Sequence, residues 1–87
     1  MDDPRLKRLQ FRAWHRGTRE ADYTIGCFFD RFHHQWGENE LVWFETLLEA
    51  EDVDILGWAL GTIAVPAEMA GPLMERMQRL DYVEIPR

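Results

Sequence analysis

The sequence predicts an all-α fold, a compact five-helix bundle, and three observations carry that reading. Apolar residues recur at spacings of three and four in successive segments, Gly or Pro interrupts those segments at short intervals, and no segment sustains the alternation or β-branched enrichment of paired strands. The closing VEIPR is too short to pair with anything visible. At 87 residues, the chain reads as a single helical domain over 1–87. A domain of this size buries roughly 60 to 65% of the surface of its unfolded chain, so large internal cavities are not expected.

Each helix has its own signals. Asp3-Pro4 is a good start for the first, because Asp caps free backbone N–H groups and Pro at the first position gives up a donor the helix does not use. That helix is expected over 4–15, with Leu6, Leu9 and Ala13 inward, Phe11 and Trp14 on a second apolar line, and Gly17 ending it. A second helix over 19–35 carries Ile25, Phe28, Phe29, Phe32 and Trp36, the stripe of a core-facing helix, and Gly37 breaks it. Leu41, Phe44, Leu47 and Leu48 restart the pattern as a third helix.

Asp52 is the expected N-cap of a fourth, short helix, with Asp54 in the first turn, Ile55, Leu56, Ala59 and Leu60 inward, and Gly61 closing it. A fifth starts between Pro66 and Pro72 and runs to about Leu80, with Met69, Leu73, Met77 and Leu80 on one face. Pro72 sets that uncertainty in its start, since proline is tolerated in a first turn and costs about 3 kcal/mol deeper in. The tail after Leu80 is expected to be free to move.

Composition excludes several functions. No apolar run approaches the roughly 20 residues of a membrane span, so no membrane partner is expected. The net charge is −6, yet residues 1–20 hold six basic groups against three acidic ones. The remaining surface would repel a polyanion, so nucleic acid is not an expected partner, and the basic first helix is either an ordinary solvated face or a patch for a protein.

The single cysteine, Cys27, has no second thiol to pair with, and reads as a packing residue. His33 and His34 are consecutive and point about 100° apart on a helix, so no metal site is expected. Neither a glycine-rich phosphate loop nor a nucleophile elbow occurs, which leaves no catalytic residues to nominate. A hydrolase built on Glu20 and His15 is the weakest alternative; it requires turnover by the isolated protein. The N-terminus MDDPRLKRLQ lacks the apolar core of a secretory signal, and the expected location is cytoplasmic.

What remains is the stretch WHRGTREAD, residues 14–22. Gly17 permits the left-handed backbone that follows a helix end, with Arg16 and Glu20 flanking it on the two helices being joined. Such a turn is either a rigid display device or a surface salt-bridge cluster in which Arg16 or Arg19 pairs with Glu20, contributing about 0 to 1 kcal/mol.

Arg16-Gly17-Thr18-Arg19-Glu20 resembles the RGxxE motif of the SdhE family, the small FAD assembly factors. Asp22 stands where that family has an acidic residue after the motif, the FF of helix two follows, and LLEAEDVDILGW is similar to a second family stretch through Leu47, Leu48, Asp52, Asp54, Ile55 and Trp58. The likeness covers about residues 8–70; Ala21 stands where the family often has leucine and Val53 where some members have proline.

The resemblance implies a chaperone-like assembly factor rather than an enzyme. It would bind the flavoprotein subunit of succinate dehydrogenase, or of fumarate reductase, and promote the covalent attachment of FAD. It implies a partner-binding site of Arg16, Gly17, Arg19, Glu20 and Asp22, with the FAD belonging to the partner. The small core and the lack of a phosphate cradle or ligand cluster predict, on their own, a monomer when free with no tightly bound cofactor or metal. Mitochondrial members carry an N-terminal extension, so a chain beginning as this one does is expected to be bacterial. The alternative is a helical interaction module for an unrelated partner, with the RGTRE corner merely structural.

Overall fold

In the computed structural model, which describes residues 3–85, the Asp3 carboxylate accepts the Arg5 amide at 2.8 Å and opens α1 (Pro4–Trp14), which buries Leu9 and Ala13. Thr18 caps α2 (Arg19–Phe32), its hydroxyl accepting from the Ala21 amide at 3.2 Å. The stretch expected to be one helix over 19–35 tightens at its end into a 3₁₀ turn, His33–Gln35. There His33 stacks on Phe29 with ring centroids 4.4 Å apart. The Glu40 side chain accepts the Gly37 amide at 2.7 Å and fixes the start of α3 (Glu38–Leu48).

Helix α4 (Asp52–Leu60) departs from expectation at both ends. Glu51, not Asp52, is its N-cap and makes no side-chain cap bond; Asp52 lies in the first turn with its carboxylate directed elsewhere. At the other end Gly61 closes the helix in the left-handed region, φ 81°, as its sequence suggests, but Leu60 faces outward, 65% exposed. A 3₁₀ turn (Ala67–Met69) leads to α5 (Pro72–Gln78), which buries Met74 and Met77.

Among the described residues there are five α-helices, and α1 packs chiefly on α2 while α4 packs on α5. The extents are 37 × 34 × 21 Å, a slab only two helix diameters of about 10–12 Å thick. Helix α2 runs through the middle, buried on all sides from Ile25 to Phe29, and the other helices pack around it. The centre is aromatic: Phe28 is fully buried with its ring centroid 5.2 to 6.4 Å from those of Phe32, Trp36, Trp43, Phe44 and Tyr82.

Tyr82 belongs to the segment after Leu80, where the sequence indicates no packing. Its ring is 2% exposed and its hydroxyl donates to the Thr24 carbonyl at 2.8 Å, and burial raises its pKa above the ordinary phenol value.

Acidic side chains from α3 and its C-cap Glu49 pair with two of the arginines of α1. Arg5 donates to both Glu38 and Glu45, and Arg12 to Glu49, with nearest contacts of 2.7 to 2.8 Å. Hydrogen bonds from Arg5 hold the carboxyls of Glu38 and Glu45 below their ordinary range. Whatever these two pairs contribute is present above the unfolded carboxylate pKa and fades as pH falls through the lowered folded values. Arg5 and Arg12 are thus paired within the fold, whereas Lys7 and Arg8 are exposed and make no ion pair among the described residues.

Two glycines set how closely the helices approach. A Cβ on Gly26 would lie 2.4 Å from the Trp14 ring, and that ring is held by its N–H bond to Asp30 at 3.1 Å. A Cβ on Gly57 would meet the Ile63 side chain at 2.3 Å, but Ile63 is 38% exposed and can swing away. Gly26→Ala is expected to cost about 1 to 3 kcal/mol by overpacking, whereas Gly57→Ala falls within about 1 kcal/mol of neutral because helix propensity offsets the displacement. Urea unfolding of the two variants checks this; equal midpoints would contradict the α1–α2 contact described.

Candidate functional site: the α1–α2 corner

The corner between α1 and α2 spans His15 to Thr18, and three of its residues set the backbone. His15 leaves helical geometry, Gly17 takes φ 120°, and Thr18 caps the next helix. At Gly17 the nearest atom to a built Cβ is Asp52 Oδ2 at 4.0 Å, so a side chain there would be strained by its backbone and not crowded by the chain itself.

Arg16 is fastened at both ends. Its backbone N–H donates to Asp22 Oδ1 at 2.6 Å, across the corner to the first turn of α2. The guanidinium crosses to the other half of the molecule, where Nε donates to Asp52 Oδ1 at 2.7 Å, Nη1 to the Leu48 carbonyl at 2.9 Å and Nη2 to the Ala50 carbonyl at 2.9 Å. The last carbonyls of a helix lack intrahelical partners and carry the negative end of its dipole. A guanidinium fork placed there satisfies the α3–α4 turn and neutralises Asp52 at once. Only 11% of the Arg16 side chain remains exposed.

The five residues implied as partner-binding thus fall into two groups. Arg16 and Asp22 are engaged inside the fold, and the ion pair Arg16 makes is with Asp52, not Glu20. Gly17, Arg19 and Glu20 are exposed, and among the described residues Glu20 has no ion pair. Beside Glu20 runs an open groove of about 380 Å³, lined by Arg19, Glu20, Tyr23, Thr24, Val83 and Ile85. The carboxylate stands at the rim of an amphipathic surface, where a protein partner can reach it.

Asp52 is the residue of this site that sequence reasoning placed in another role. The second motif, LLEAEDVDILGW, supplies all three acceptors for Arg16, so the ordered pair of motifs was the signal that the two regions meet. Elsewhere, Cys27 is buried with its Sγ 3.8 Å from the Glu84 carbonyl, and no group of three or more His, Cys, Asp or Glu side chains among the described residues is arranged to hold a metal. No helix among these residues is long and apolar enough to cross a membrane.

A small helical slab that presents, on a braced turn, a carboxylate with no ion pair among the described residues has the form of a protein-binding module. The model of a protein family, Sdh5, described as flavinator of succinate dehydrogenase, matches residues 7–81. An FAD assembly factor SdhE of Acetobacter pasteurianus is 40% identical over 73 residues, 84% of this chain and 67% of that protein. A mitochondrial succinate dehydrogenase assembly factor 2 of Dictyostelium discoideum is 31% identical over 72 residues, 83% of this chain and 51% of that protein. The chain belongs to the Sdh5 family of succinate dehydrogenase flavinators.

Proposed function

We propose that this protein is an assembly factor, not a catalyst, which binds the flavoprotein subunit of succinate dehydrogenase and promotes the covalent attachment of FAD to it. The observation that carries the reading is Glu20: an ionisable side chain exposed at the corner, with no ion pair among the described residues, in a chain of this family. Gly17 keeps the turn bare so that a partner backbone can approach, and Glu20 and Arg19 supply charged contacts that fix its orientation. The helices behind them hold the corner still, so the partner meets a surface whose ordering cost has already been met in folding.

The flavin belongs to the partner, and this chain's part is to bind and orient the segment around the attachment site, favouring the arrangement in which the partner's own groups react. It carries no tightly held cofactor of its own, is monomeric when free, and works in the cytoplasm. Purified protein should be colourless and run as a monomer. The test of function is in-gel flavin fluorescence of denatured flavoprotein subunit matured with and without this chain. A clear rise in covalent flavin is the expected result, and equal fluorescence would refute the assignment.

A further inference from the structure

The guanidinium of Arg16 is turned into the fold, with three of its five N–H donors bonded within the chain, one from each nitrogen. Two of those bonds go to the backbone carbonyls of Leu48 and Ala50 and one to Asp52, and only 11% of the side chain is exposed. Its backbone N–H, meanwhile, is bonded to Asp22. Between those two anchors lie the exposed residues Gly17, Thr18, Arg19 and Glu20, followed by Ala21, which is buried in the core.

We propose that Arg16 is a positioning residue, serving the flavoprotein through Glu20 without meeting it, by fastening the α1–α2 corner to the α3–α4 turn. The proposal rests on the function assigned above and deepens it. Were the fork released, Gly17 would leave the corner free to swing about its backbone, and Glu20 would sample many positions instead of one. The loss would then appear as weaker association, because the ordering of the corner would have to accompany binding. Asp52 shares the task as the anionic half of the latch, which links the two sequence motifs into one device.

The test is a double-mutant cycle on affinity for the flavoprotein subunit, using Arg16→Lys, Glu20→Ala and the two together. Lysine keeps the charge but cannot reach Asp52 and both carbonyls as a fork does. Arg16→Lys is expected to weaken binding about tenfold, yet to add little when Glu20 is already alanine, because mispositioning matters only while the carboxylate is there to misplace. Leu9→Ala, a core variant, serves as the control for general destabilisation; corrected for its folded fraction, it should bind as the wild type and lose affinity additively with Glu20→Ala.

Amide hydrogen exchange supplies a second readout: Arg16→Lys should speed exchange at residues 17–22 and leave the amides around Phe28 protected. Additive losses from Arg16→Lys and Glu20→Ala would overturn the proposal, since they would mean that Arg16 touches the partner itself. Wild-type affinity in Arg16→Lys would overturn it equally. A wild-type chain that neither binds nor flavinylates the subunit sinks the functional assignment and this proposal together, whereas a working wild type with additive losses sinks this proposal alone.

Discussion

Phe28→Ala is expected to lower the stability of this domain by about 3 to 5 kcal/mol. Phe28 is completely buried and packs its ring among five other aromatic rings drawn from α2, α3, the linker that follows α2, and the C-terminal segment. Truncation there removes the contact common to all of them, and a slab two helices thick offers few neighbours able to collapse into the void. An 87-residue domain has about 4 to 13 kcal/mol of stability in all, so the variant stands at or near the edge of unfolding.

Phe11→Ala is the internal comparison. The same side chain at 62% exposure, stacked only on His15 at 3.9 Å, should change stability by no more than about 0.5 kcal/mol. Urea denaturation followed by circular dichroism separates the two cases, and similar midpoints would mean that the aromatic centre is misplaced.

Most of the fold was legible because α1 and α2 each present an apolar stripe, and a one-sided pattern has only one way to face a core, while α3 was marked by Gly37 before it and by Leu41, Phe44 and Leu48 at helical spacing. The start of α1 at Asp3-Pro4 and the end of α4 at Gly61 were equally plain, since each depends on local backbone chemistry. Helix α4 was harder. DVDILGWAL is apolar on nearly every side, so periodicity could not say that Gly57 and Trp58 go inward while Leu60 goes out. Tyr82 was harder still: one aromatic in a polar tail has no period, and its hydrogen-bond partner Thr24 lies 58 residues away in sequence.

The same limit applies at the corner. Adjacent residues in a turn point in different directions, and spacing alone groups Arg16 with Glu20 without saying which of them the fold consumes. That depended on where α3 ends, because Leu48 and Ala50 attract Arg16 through their main-chain carbonyls, and those acceptors carry no side-chain signature. Asp52 did carry one, but an aspartate just ahead of an apolar helix fits an N-cap so well that the longer-range pairing was masked. What sequence did supply, through the likeness of RGTRE to a family motif, was the expectation that this corner is where the function lies.

Glu20→Ala puts that claim to its most direct test. The carboxylate is exposed and has no ion pair among the described residues, so its removal should change stability by no more than about 1 kcal/mol and leave the helical spectrum intact. At an interface, by contrast, a lost charge contact leaves the partner's group unsatisfied as it is drawn out of water, a cost of about 2 to 5 kcal/mol, or more than tenfold in affinity. The decisive measurement is covalent flavin on the succinate dehydrogenase flavoprotein subunit, read by in-gel fluorescence after maturation with wild-type chain, with Glu20→Ala, or with neither, alongside a thermal melt of each chain. A normal melt with flavin near the level seen without any chain is the predicted result; full flavinylation by a well-folded Glu20→Ala chain would contradict the account.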